Sequence, residues 1–200
     1  MAAPSSRPRL IRWLPFVVFL AIAVGGAALV ALPRIQEAGN APAIGGAFTL
    51  VNPEGKTVTD ADFRGKLMIV YFGYTFCPDV CPTTLAILGQ ALDKLTPAQR
   101  KEVAPIFITV DPARDTPKVM GEYASNFAPD LLGLTGTQDE ITKVEREYHV
   151  YAKKHPEADG SYSMDHSSII YLMGPDGGFR GILSGEVTVG QVADGIKKQL

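Results

Sequence analysis

Continuous apolar runs alternate along this chain with apolar stripes at helical spacing. Leu67 to Phe72 is apolar throughout, as in a strand buried on both faces. From Pro82 the spacing turns helical, with Leu85, Leu88, Leu92 and Leu95 on one face. Thr96-Pro97 starts a short helical turn, and Ile106 to Val110 is a second apolar strand. Thr116 as N-cap and Pro117 in the first position open a helix with Met120, Tyr123 and Phe127 inward. Leu131 to Leu134 reads as a short strand. Thr137 to Glu140 is a capping box for a helix with Ile141, Val144 and Tyr148 inward. Lys153 to Ser163 shows no apolar period and reads as a polar loop. His166 to Met173 is a strand fed by that loop, and Gly174-Pro175-Asp176-Gly177-Gly178 turns it into Phe179 to Leu183. Thr188 to Gln191 caps a last helix with Val189, Val192, Ile196 and Leu200 inward.

Ahead of these, Phe48 to Val51 and Lys56 to Thr59 flank Asn52-Pro53-Glu54-Gly55, a hairpin signal. The order β-α-β-α-β-α-β-β-α predicts an α/β domain over residues 47–200, a mixed sheet covered by helices. A cysteine pair just after the first core strand points to a thioredoxin-like arrangement.

The first 46 residues differ. Leu14 to Leu32 contains no charged or strongly polar side chain and is long enough to cross a bilayer core of about 30 Å. Arg7, Arg9 and Arg12 precede it, which predicts a cytoplasmic N-terminus and residues 1–34 as stub and anchor. A cleaved signal peptide is the other reading of this stretch. Residues 35–46 read as a tether. Both readings put residues 35–200 in an extracytoplasmic space, the periplasm or its equivalent, and the anchor reading adds a single-pass span of the inner membrane. The chain has a formal net charge of −2, with four arginines and no acid in residues 1–34, so the domain itself is acidic. Such a balance argues against nucleic acid as a partner.

That location changes what the cysteines mean. Cys77 and Cys81 are the two in the chain, within Tyr71-Phe72-Gly73-Tyr74-Thr75-Phe76-Cys77-Pro78-Asp79-Val80-Cys81-Pro82. Pro82 fits best as the first helical residue, leaving 77–81 as a loop on a helix N-terminus. The free N–H groups and the dipole there favour thiolates. A structural disulfide is the default in an oxidising compartment. Closing so short a loop, however, would constrain the unfolded chain little. Redox exchange or a soft metal are the alternatives.

A metal needs a third donor. Of the three histidines, His149 lies in a helical stretch and His155 in the polar loop. His166 is the better candidate, with a strand-edge histidine bonded to Asp165 as its plainer reading. Two sulfurs and one nitrogen suit Cu(I), or Cu(II) in a squarer arrangement. Iron–sulfur clusters usually need four cysteines and structural zinc four ligands. Asp79 or Asp165 could supply a fourth ligand and admit zinc; Met164 could act as a thioether or simply pack. Asp111, Arg114 and Asp115 follow a strand at the end where open α/β sheets place their sites. They read either as a capped turn with an ion pair or as a docking surface beside the cysteines.

Tyr71-Phe72-Gly73-Tyr74-Thr75-x-Cys77-Pro78-Asp79-Val80-Cys81-Pro82-Thr83 resembles the Sco/SenC family of copper chaperones for cytochrome oxidase. Asp111-Pro112-x-Arg114-Asp115-Thr116 and Leu134 to Thr137 match further parts of that family's pattern. So do Asp165-His166-Ser167 and Tyr171-Leu172-x-Gly174-Pro175-Asp176-Gly177. The resemblance spans residues 47–200, and the separated motifs come in order. It implies a thioredoxin-like fold with copper on Cys77, Cys81 and His166. The implied client is the binuclear copper site of cytochrome c oxidase subunit II, served with an upstream copper donor and a thiol reductant. Against this non-enzymatic chaperone stand a thiol–disulfide reductase using Cys77 and Cys81 as its redox pair, and a redox or copper sensor.

Overall fold

The computed structural model describes residues 44–200. The predicted anchor, Leu14–Leu32, lies outside them. Among the described residues no helix is long and apolar enough to cross a membrane.

Among the described residues nine strands and five α-helices follow one another. A hairpin of β1 (Thr49–Val51) and β2 (Thr57–Thr59) comes first, closed around Asn52 to Gly55 as its turn chemistry predicts. A 3-10 turn over Asp60–Phe63 leads into β3 (Leu67–Gly73), whose seven residues are all buried. Helix α1 (Val80–Leu92), the short α2 (Pro97–Lys101) and β4 (Val103–Thr109) follow. Then come α3 (Pro117–Ser125), β5 (Leu132–Leu134) and α4 (Gln138–Glu147). The chain continues through β6 (Ala152–Pro156), β7 (Tyr162–His166), β8 (Ile169–Met173), β9 (Phe179–Ser184) and α5 (Val189–Lys197).

The main sheet runs β5-β4-β3-β8-β9. β3, β4 and β5 are parallel; β8 and β9 join antiparallel. This is a mixed sheet flanked by helices, the thioredoxin-like arrangement. β3 is the central strand, and its side chains are buried on both faces of the sheet, which explains its unbroken apolar run. Around it Tyr71, Phe72, Phe107, Leu85 and Leu88 are fully buried. Trimming Leu85 or Leu88 to alanine would cost about 2–5 kcal/mol through lost burial and the cavity left behind.

The caps at Thr116, Thr137 and Thr188 form as their sequences predict: each hydroxyl accepts the N–H three residues on. Three expectations need correction. Helix α1 starts at Val80 with Asp79 as N-cap, so Pro82 is its third residue, not its first. The helix tolerates it because first-turn N–H groups have no helical partner and Pro78 lies outside the helix, where its carbonyl cannot clash. Lys153 to Ser163 is not a loop: β6 and β7 pair antiparallel as a separate two-stranded sheet around a turn at Asp159-Gly160. His166 therefore ends a strand instead of opening one, and Ser167 and Ser168 separate it from β8.

Candidate metal centre

The centre forms where β3 runs out. Gly73, the last residue of that strand, has no side chain because none fits: an added Cβ would stand 2.7 Å from Cys81 Sγ and 3.1 Å from the Phe107 ring. Tyr74 to Asp79 then makes a compact loop, with the Cys77 N–H donating to the Tyr74 carbonyl at 3.2 Å. Cys81 is fully buried and Cys77 nearly so, at 8 % exposed. Both are free thiols. The Cys81 N–H points at Cys77 Sγ across 3.4 Å, so the helix N-terminus does face the first sulfur.

β7 delivers His166 from the opposite side. Its Nε2 lies 3.2 Å from Cys81 Sγ, and its Nδ1 lies 3.2 Å from the Ser167 carbonyl. A carbonyl only accepts, so Nδ1 carries the proton and the Nε2 lone pair faces the sulfur. The rings of Tyr74 and Tyr71 meet the imidazole edge-on, at 5.7 and 6.3 Å between centroids. Sγ of Cys77, Sγ of Cys81 and a nitrogen of His166 all lie within 4.8 Å of one another. Among the described residues these are the three histidine, cysteine or acidic groups placed to share one ion.

Charge at the centre is set by burial. The Cys81 thiol is pushed far up by desolvation and by the neighbouring Cys77, although a Tyr74 N–H and the Tyr71 hydroxyl favour its ionised form. The sequence predicts two thiolates lowered by the helix N-terminus. For Cys81 the structure reverses that, because a fully buried charge costs more than the dipole returns. His166 is pulled below its ordinary value, again chiefly by burial, so it stays neutral and keeps a lone pair to donate. A buried neutral thiol and a neutral imidazole form a site poised for a cation. A soft metal would supply the charge that permits Cys81 to lose its proton.

The other candidates lie elsewhere. Asp79 caps α1 without a side-chain bond and is exposed. Asp165 is exposed and contacts His155 at 2.8 Å, not His166. His149 is exposed just past α4. Met164 packs partly buried beside Asp111 and Glu145 in a neighbouring cavity. Among the described residues no carboxylate joins the three as a fourth ligand.

Asp115 braces the cysteine loop, a contact that its motif hides. It is wholly buried and accepts from the Thr75 N–H at 3.1 Å, the Thr75 hydroxyl at 2.6 Å and the Thr109 hydroxyl at 2.6 Å. It thereby ties the cysteine loop to the end of β4. The ion pair expected in this turn forms as well, and its aspartate is Asp111. The signal available was an aspartate after a strand end, next to the capped turn that sequence alone explains.

Relatives place this centre in context. The SCO1/SenC family model matches residues 36–200. The protein SCO1 homolog 1, mitochondrial, of Arabidopsis thaliana is 43 % identical over 171 residues, 86 % of this chain and 51 % of its own length. This chain thus spans about half of that relative. The structure of Bradyrhizobium japonicum ScoI with copper bound is 47 % identical, with a TM-score of 0.73, covering 79 % of this chain and all of that one. BsSco, described with a disulfide switch and as a member of the Sco family of cytochrome c oxidase assembly proteins, is 29 % identical. Its TM-score is 0.63, covering 80 % of this chain and 94 % of its own. With its matched span, its sheet order and its paired cysteines facing one histidine, the chain belongs to the SCO1/SenC family.

Proposed function

We propose that this protein is a copper metallochaperone for cytochrome c oxidase assembly, holding its cargo on Cys77, Cys81 and His166. The observation that carries this is the convergence of two sulfurs and an unprotonated imidazole nitrogen within 4.8 Å. Soft donors in that number suit Cu(I), which accepts three ligands where structural zinc wants four. The copper-bound ScoI relative supports the same reading. The Nδ1–carbonyl bond of His166 is the outer contact that orients a ligating imidazole.

The geometry also suggests an order of transfer. Cys77 is the more exposed sulfur and Cys81 the wholly buried one. A client's thiolate reaches the ion from the Cys77 side, and protein donors are exchanged one at a time. We take the client to be the binuclear copper site of oxidase subunit II, with a copper donor and a thiol reductant upstream. The uncharged stretch Leu14–Leu32, with its preceding arginines, supports a domain held at the membrane on the extracytoplasmic side by residues 35–46.

A thiol–disulfide role on the same cysteines is the second reading. It is favoured by their adjacency and by the disulfide switch described for BsSco. Copper binding should require reduction, because a Cys77–Cys81 disulfide removes both thiolates. Titrating reduced and oxidised protein with Cu(I) under a competing chelator tests this. One ion per reduced chain and none per oxidised chain is expected; equal binding by both forms would exclude the cysteines as ligands.

A further inference from the structure

A side chain that is itself no ligand bridges the two halves of the centre. We infer that Arg114 is a positioning residue, which latches the hairpin carrying His166 onto the loop carrying Cys77. For its metal readout this inference rests on the copper reading above.

The hairpin of β6 and β7 pairs only with itself. It continues into β8 through Ser167 and Ser168, where the Ser167 N–H donates to the Tyr151 carbonyl. At its far end nothing in the main sheet holds it. Tyr162, four residues before His166 on the same strand, is held instead by Arg114. Nη1 of Arg114 donates to the Tyr162 carbonyl at 3.0 Å, and the guanidinium lies 3.7 Å from the centre of the Tyr162 ring. The same guanidinium faces the Phe76 ring at 4.6 Å and the Tyr74 ring at 5.6 Å. Those two residues flank Thr75 in the cysteine loop.

Asp111 closes the arrangement. It accepts from Arg114 Nε and, at 2.9 Å, from the Tyr162 hydroxyl. A single planar cation therefore sits between Phe76 on one segment and Tyr162 on another, with its own loop as the third point. Nη2 is buried without a hydrogen-bond partner, so on that side the guanidinium meets side-chain packing and not an acceptor. Phe76 is 60 % exposed on its outer side. Here it covers the outer side of Arg114. Beyond the ligands themselves, Tyr74 is the other tie between hairpin and loop: its hydroxyl accepts from the Met164 N–H at 3.4 Å and its ring meets His166 edge-on.

The test is amide hydrogen exchange on the full-length apo protein, paired with Cu(I) affinity, for Arg114→Leu and Arg114→Lys. Arg114→Leu should speed exchange of the β6–β7 amides tenfold or more while those of β3 and β4 stay as in the native protein. Cu(I) affinity should fall about tenfold, the lower end of losses from residues that orient a ligand. Arg114→Lys should not rescue, since an ammonium has neither the plane nor the fork. It also stands in should the leucine variant fail to fold. In a His166→Ala background, adding Arg114→Leu should cost little further affinity, because the latch then has no ligand to position. Hairpin exchange within twofold of native, or equal acceleration in β3 and β4, would overturn the latch. Additive losses in the double variant would overturn it too, placing the effect on the cysteine loop. If His166→Ala alone leaves affinity untouched, the copper reading fails at that ligand, and the exchange data still decide the latch.

Discussion

The cysteine half and the histidine half of this centre are built by different means. Cys77 and Cys81 hang from the central strand and the helix after it, and Gly73, Phe107 and Asp115 leave the loop little freedom. His166 hangs from a two-stranded hairpin none of whose strand residues is fully buried. The first half inherits its geometry from the hydrophobic core. The second depends on a few side-chain contacts: Arg114 on Tyr162, Tyr74 on Met164, and the edges of two tyrosine rings. Local stability follows buried contacts, so the histidine half should open at lower free energy than the cysteine half. The proposed chaperone role requires a site that holds copper and also releases it. A site with one rigid and one lightly held side can do both, with the imidazole as the donor that yields.

The strongest way to break this comparison is to remove a ligand from each half. Cys81→Ala should abolish stable copper retention, a loss beyond the roughly 100-fold ceiling of outer-contact substitutions. His166→Ala should weaken retention by about 10–100-fold and leave thiol–disulfide exchange changed only a few-fold, since neither sulfur is altered. Measuring retention, exchange rate and oxidase assembly on both variants separates the two readings. If assembly follows copper, the chaperone stands. A His166→Ala protein with reduced cysteines that loses copper and still assembles active oxidase at normal copper supply would sink it.

A smaller effect is expected where the cysteine loop is tied down. Asp115 satisfies three donors at once while buried among them. Asp115→Asn keeps the shape but turns one acceptor into a donor. The protein should lose about 1–3 kcal/mol of stability, as when a buried donor is left without its acceptor. The loss should appear as faster exchange around Thr75 and Thr109 and leave the hairpin alone. Slower or unchanged exchange there, with full stability, would show that the loop is held by packing instead.

The same division explains what could be read from sequence. Leu67–Gly73, the leucine stripe of α1 and the threonine caps are local patterns with one structural solution each, so strands, helices and the place of the cysteines were legible. The hairpin was not. Its strands are half-exposed and pair only with each other, so they show no apolar face; the available cue was Asp159-Gly160 followed by alternation at Tyr162, Met164 and His166. The sign of the shift at Cys81 was hidden too. Spacing shows a helix N-terminus, but only three dimensions show that Tyr71, Phe107 and α1 exclude water from that sulfur. Asp115 and Arg114 act across 38 or more residues of sequence, on Thr75, Phe76 and Tyr162, and no local pattern encodes such contacts.

The smallest expected effect lies behind the hairpin. Glu145 on α4 lines a cavity with Ala152, Lys154 and Met164 of the hairpin and with Val110 and Asp111 of the main domain. Burial raises its carboxyl from an ordinary 4.5 to about 7, and Arg146 offsets this only in part. A carboxyl raised on folding contributes stability that is full below about pH 4.5 and lost as pH climbs through 7. Above that, the folded protein holds a carboxylate in a site that disfavours it. Glu145→Gln keeps the shape and removes the charge. It should leave stability unchanged near pH 4.5 and raise it near pH 8 by roughly 1 kcal/mol, after discounting for the solvent that reaches this side chain. Chemical denaturation of both proteins at the two pH values measures this. The gain should also appear as slower amide exchange in β6 and β7, because the charge sits under the hairpin and not under the cysteine loop. Equal stability of the two proteins at pH 8 would mean that Lys154 or water compensates the charge, and the histidine half would then owe none of its looseness to Glu145.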